Sequence, residues 1–143
     1  MGYAYEKEHT MNVELFVLCD AATDYHGKLN ILGAYDTIWA RNLPAVHPLC
    51  AVAIRIRFAK IEEGEHKIRV NIIDADGKSI LKPVEMAAKI QFREDMTSMA
   101  ANMILNLQGI KFEHFGEYSV DLAVDSRHEA SLPLFINQAP AQA

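Results

Sequence analysis

GEYSVDLAVDSRHEASLPLFI, residues 116 to 136, decides the fold class. Its apolar residues recur with a period of two: Tyr118, Val120, Leu122 and Val124, then Ala130, Leu132, Leu134 and Ile136 beyond the turn at Ser126-Arg127-His128. Successive side chains leave a strand on opposite faces, so this alternation marks strands with one face against a core. Two such runs joined by a polar turn predict a terminal β-hairpin. Leu134 and Phe135 are adjacent, so one of them must face away from a two-layer core.

The same period runs back along the chain. AVAIRIRF (51–58) sends Val52, Ile54, Ile56 and Phe58 one way and Arg55 and Arg57 the other. HKIRVNIID (66–74) repeats the pattern with Ile68, Val70 and Ile72 inward. Asp74-Ala75-Asp76-Gly77-Lys78 is hairpin-loop chemistry, and a return strand follows from Val84 to Phe92. REDMTSMAANM (93–103) is the one segment with room for a helical turn, and MILNLQGIKF (103–112) is expected to be extended with Gly109 as a break.

Nearer the N-terminus, NVELFVLCD (12–20) is a dense apolar run read as a strand buried on both faces or pairing centrally, followed by a loop AATDYHG (21–27). KLNILGAYDTIWA (28–40) reads as one strand, with Gly33 marking a bulge or a close approach. RNLPAVHP (41–48) reads as a connection, because Pro44 and Pro48 lack ladder donors.

The expected architecture is therefore all-β: a single-domain antiparallel β-sandwich, immunoglobulin-like or C2-like, of about seven or eight strands with turn signals roughly every 8 to 14 residues. The expected boundaries are a mobile N-terminal extension at 1–10, the sandwich at 11–137 and a disordered tail at 138–143. A chain of 143 residues buries enough surface, roughly 70%, to need neither metal nor disulfide.

Composition excludes several functions. The net charge of −5 with no concentrated basic face argues against nucleic acid. No apolar run approaches bilayer length, and the polar start MGYAYEKEHT is no signal peptide, so a cytoplasmic protein without a membrane partner is expected. Cys19 and Cys50 lie in apolar segments and read as small buried hydrophobes.

No nucleophile elbow, zinc-protease helix, P-loop or dinucleotide fingerprint occurs, and no cofactor or catalytic residue is assigned. A hydrolase would need His26, His47 or His114 to converge with a carboxylate. Metal-ligand candidates are the loop residues Asp20, Asp24, His26, Asp74 and Asp76, weighed against ordinary turn chemistry. Interaction candidates are Tyr35, Trp39, His47 and Phe135, set against a reading in which aromatics such as Trp39 seal an end of the core. The leading expectation is a non-catalytic binding module whose partner is another protein or itself, a homo-oligomer. A sandwich binding a small molecule or metal is the alternative, and a hydrolase comes third.

LNILGAYD (29–36), PAVHP (44–48), DADG (74–77), GEYSVDLAVD (116–125) and PLFI (133–136) together resemble a family of small uncharacterised bacterial proteins, a domain of unknown function. The resemblance spans about Val13 to Ile136 and implies a bacterial β-sandwich. It carries no catalytic residue. Phe115 stands where the family has proline, and Asp125-Ser126-Arg127 where it has an Asp-Gly turn.

Overall fold

The computed structural model describes residues 11–141, so the expected extension at 1–10 and residues 142 and 143 of the expected tail lie outside the described residues. In chain order the strands are β1 (Asn12–Tyr25), β2 (Lys28–Ala34), β3 (Thr37–Ala40), β4 (Ala45–Ala59), β5 (Gly64–Ile73), β6 (Val84–Ile90), β7 (Ser98–Phe112), β8 (Gly116–Val124) and β9 (Arg127–Gln138). They form a four-stranded sheet, β2-β1-β4-β7, and a five-stranded sheet, β3-β9-β8-β5-β6. Every pairing is antiparallel except that of β3 with β9, which is parallel. The fold is a β-sandwich of nine strands among the described residues, slightly more than periodicity suggested.

The core lies between the sheets, built from the alternations read in the sequence. Val52, Ile54, Ile56 and Phe58 of β4 meet Ile68, Val70 and Ile72 of β5 and Tyr118, Val120, Leu122 and Val124 of β8. In β9 Leu134 is buried and Phe135 turns outward, resolving the adjacent pair. The expected tail begins one residue late: Gln138 pairs with Ala40, and the Ala139 N–H still donates to the Ala40 carbonyl at 2.8 Å. Arg93 to Met96 form only a turn, and β7 continues past Gly109 as one strand, with a local irregularity there in place of a full break.

Three segments fold differently from their sequence reading. First, β1 continues to Tyr25, and the supposed loop 21–27 shrinks to a turn at His26-Gly27, both at positive φ. That conformation matches the twist of a two-residue hairpin. β1 pairs centrally, but it is buried on both faces only at Leu18 and Cys19. Beyond Cys19 it leaves β4 and folds back with β2 over the outer face of the four-stranded sheet. There Cys19, Ala51 and Ala53 are sealed by Ala22, Leu29, Ile31 and Ile104, a second small core.

Second, residues 28–40 are two strands in different sheets. The Tyr35 N–H donates to Leu18 of β1 at 3.0 Å, and the next carbonyl, of Asp36, accepts from Phe135 of β9 at 2.7 Å. The chain changes sheets between adjacent residues. Gly33, at φ +69°, precedes this crossing, and a Cβ there would stand 2.5 Å from an Asp20 carboxylate oxygen. Gly33→Ala is expected to destabilise by about 1–2 kcal/mol from the left-handed backbone and the clash. In an Asp20→Ala background the carboxylate clash is gone and the backbone part remains with a 3.3 Å contact to the residue-20 Cβ, so denaturant midpoints should show the cost reduced but not abolished.

Third, the proline-bounded segment is half strand: β4 begins at Ala45 and contains Pro48. The last β1 partner in β4 is Ala51, so Pro48 lies where only β7 flanks the strand, a place that tolerates a missing donor. Opposite Pro48 in the ladder stands Gly109 at φ +60°. Inward parity switches there on both strands at once, from Cys50 and Leu107 to Ala45 and Phe112. Simple alternation cannot cross such a rung, which is why the segment read as a loop.

Candidate functional site

The parity switch carries His47 to the side of Tyr35, and Tyr35 Oη lies 2.8 Å from His47 Nε2. Burial pushes the Tyr35 hydroxyl above its ordinary value, with Cys50 and Asp20 adding to the effect. Burial also holds His47 below its ordinary value. Both groups are therefore neutral at pH 7, and they share a hydrogen bond whose donor is set by the histidine tautomer. Beside them the Cys50 thiol is pushed up by burial and Cys19 likewise, so neither offers a thiolate. Both thiols are free and buried. Two of the interaction candidates thus tie the sheet crossing to the start of β4.

The other two candidates stand on the outer face of the five-stranded sheet. Phe135 pairs with Thr37, and Trp39 lies two rungs on, opposite Asn137. Trp39 is 61% exposed and seals no end of the core, because alternation along β3 sends Ile38 and Ala40 inward.

The metal-ligand candidates are dispersed. Asp20 and Asp24 lie on β1, not in a loop. Asp24 accepts from the Gly27 N–H and from Asn102 Nδ2, each at 3.0 Å. Asn102 also bonds the Gly27 carbonyl and accepts from Arg55, which pairs with Glu14 and, through it, with Arg57. This polar chain fastens the folded-back hairpin. His26 packs edge-on against Tyr25, while Asp74 accepts the Asp76 and Lys78 amides within its own turn. Among the described residues no three His, Cys, Asp or Glu side chains are grouped to hold a metal.

A histidine–carboxylate pair does form, from residues the sequence did not single out. His66 Nδ1 lies 2.6 Å from Asp125 Oδ2, and its Nε2 lies 2.6 Å from the Glu62 carbonyl oxygen. The ring stacks on Phe58 at 4.9 Å. Asp125, at φ +52°, also accepts the Lys67 N–H at 2.9 Å. Both ring nitrogens face acceptors, so both donate and the ring is an imidazolium. Burial opposes that charge, but the bonds to Glu62 and Asp125 outweigh it and raise the His66 pKa. With no free nitrogen the ring is a cross-link and not a base. Fifty-nine residues separate the partners, so no local spacing announces the pair.

The feature with most capacity to act outwardly is backbone. Among the described residues β7 closes the four-stranded sheet, pairing with β4 on one side and with no strand on the other. It is 15 residues long, and from Ser98 to Ile110 it has no charged side chain and no proline. Beside it on β4, Val46 and Leu49 are 60% and 53% exposed, on the rungs of Lys111 and Gln108. The other edges are blunted: β3 has four residues, and β6 has seven and carries Glu85 and Lys89. β2 has seven and begins at Lys28. An edge offers a row of unpaired N–H and C=O groups, and shortness and charge are the usual protections. β7 has neither.

The model of a family of unknown function, DUF6941, matches residues 14–137, and the chain belongs to that family. A domain-of-unknown-function family is what the sequence resemblance implied. Among solved structures the chain is similar to an immunoglobulin-like protein from Pseudomonas aeruginosa, at 9% identity and a TM-score of 0.37, over 90% of this chain and 97% of that one. No curated protein matches it.

Proposed function

We propose that this member of the DUF6941 family is a non-catalytic β-sandwich interaction module of a bacterial cytoplasmic protein, which engages a protein strand through the open edge of β7. The observation that carries this reading is the 15-residue, proline-free edge of β7, uncharged from Ser98 to Ile110, whereas the edges at β2, β3 and β6 are short. Strand addition takes its affinity from main-chain hydrogen bonds and its selectivity from alternate side chains, so it needs no catalytic group or cofactor. The chemistry elsewhere supports the same reading: the Tyr35–His47 pair is neutral, and His66 has both nitrogens engaged.

The test is positional photo-crosslinking in cells, with a photoreactive side chain at Gln108 on β7 or at Lys89 on β6. Protein adducts from position 108 and none from 89 are expected. Equal yields from both positions, or none from either, would sink the proposal.

A further inference from the structure

We infer that the strand received by β7 is the β7 of a second copy, paired antiparallel across a two-fold axis at Met103, so that the two four-stranded sheets become one. This rests on the reading of β7 as the interacting edge and adds the partner and the register.

An antiparallel self-pair must keep inward residues opposite inward ones, which restricts the axis to a residue position. The strand then selects the residue. Its regular part runs from Ser98 to Gln108, because Gly109 at φ +60° forms the rung where parity switches. The centre of that part is Met103. About this axis Ala101 faces Leu105 of the second copy and Met99 faces Leu107, on the inner side where Met103, Leu105 and Leu107 are already buried. On the outer side Ser98 faces Gln108, Ala100 faces Asn106 and Asn102 faces Ile104. A small residue opposes a larger one at Ala101–Leu105, Ser98–Gln108 and Ala100–Asn106, apolar residues meet at Met99–Leu107 and at the axial Met103, and no like charges meet.

The ends agree. Continued past Gly109, the register points Lys111, 56% exposed and paired with its own Glu113, toward the Arg93-Glu94-Asp95 turn of the second copy, where Arg93 pairs with Asp95 and Glu94 adds a negative charge. A register using the full strand, centred on Leu105, would set Lys111 against Met99 and carry the ladder across the Gly109 kink. The two-fold closes the assembly at a pair, since each copy has one such edge among its described residues.

The experiment is a spin-label distance measurement on the full chain with Gln108→Cys, with wild type as the labelling blank because Cys19 and Cys50 are 0% and 1% exposed. In the Met103 register position 108 lies opposite residue 98, which separates the two labelled backbones by about 34 Å, against about 20 Å for the Leu105 register. Amide exchange of β7 is followed on dilution alongside it. A dimer with the longer distance, and β7 amides that lose protection on dilution, is the expected result. A dimer with another distance but the same β7 response overturns the register and leaves the edge reading standing. A dimer whose β7 amides do not respond overturns both. A monomer at high concentration overturns self-pairing alone, and crosslinking from position 108 then decides the edge reading.

Discussion

Phe58→Ala is expected to destabilise the protein by about 3–5 kcal/mol, read as a lower urea midpoint at unchanged slope. Phe58 is fully buried and is the last inward residue of β4. Its ring packs in the core on one side and on the His66 ring on the other, where the five-stranded sheet begins. Truncation removes apolar area, opens a cavity between two sheets that cannot collapse independently, and takes away the surface on which the imidazolium rests. Trp39→Ala is the contrast. Trp39 is larger, but at 61% exposure its removal should change stability by no more than about 0.5 kcal/mol. If Trp39→Ala proved the costlier substitution, the division between core and outer face described above would be wrong.

Asp125→Ala is expected to cost about 1–3 kcal/mol and to flatten the dependence of stability on pH. Asp125 accepts from His66 and from the Lys67 N–H, so its loss leaves two donors without partners. Its φ of +52° suits aspartate better than alanine, which adds backbone strain. Asp125→Asn keeps that conformation and an acceptor for Lys67, and so should cost less while removing the charge.

The sign of the pH effect follows from the two shifts. His66 is raised above its ordinary 6.5 by the bonds to Glu62 and Asp125, against the effect of burial. Its contribution is complete below pH 6.5 and is lost as pH rises through the raised value. Asp125 is lowered below its ordinary 3.8 by the Lys67 N–H and by His66, again against burial. Its contribution is complete above 3.8 and is lost as pH falls through the lowered value. The pair's contribution to the wild-type midpoint should therefore be largest between these limits and be lost as pH rises from 6.5 toward alkaline conditions. Glu65, Lys67 and Glu85 line the cleft on one side of the pair, and Glu62, Arg127 and Glu129 the cleft on the other. The same residues line both clefts in wild type and variant, so the difference between the two curves reports on the pair. A wild-type curve parallel to that of Asp125→Ala across this range would refute the imidazolium assignment.

Most of the fold was legible because most strands here bury one face, and a half-buried strand writes its orientation in every second residue. The inward sets of β5 and β8, the solvent-facing pair Arg55 and Arg57, the outward Phe135 and the buried Cys50 all follow from that one rule. It failed where a local pattern answers to two surroundings at once. Asp20, Asp24 and His26 look like loop chemistry, yet β1 carries the two acids as a strand that folds back over its own sheet. Trp39 looks like a core residue because it is large and apolar, but β3 spends its inward positions on Ile38 and Ala40.

By itself, then, the sequence determined that this chain is a two-layer β-sandwich with a terminal hairpin, since alternation is local and each strand declares its own buried face. Only the tertiary structure decided that Tyr35 meets His47, that His66 meets Asp125 and that β7 is left at an edge. Each of these depends on which strands become neighbours across long stretches of chain, and hydrophobic periodicity is the same for an edge strand as for a central one. The stretch from Leu29 to Pro48 shows both halves of the lesson. Its residues specify extended backbone, while the sheet change at Tyr35-Asp36 and the parity switch at Pro48 exist only because β9 and Gly109 stand opposite them.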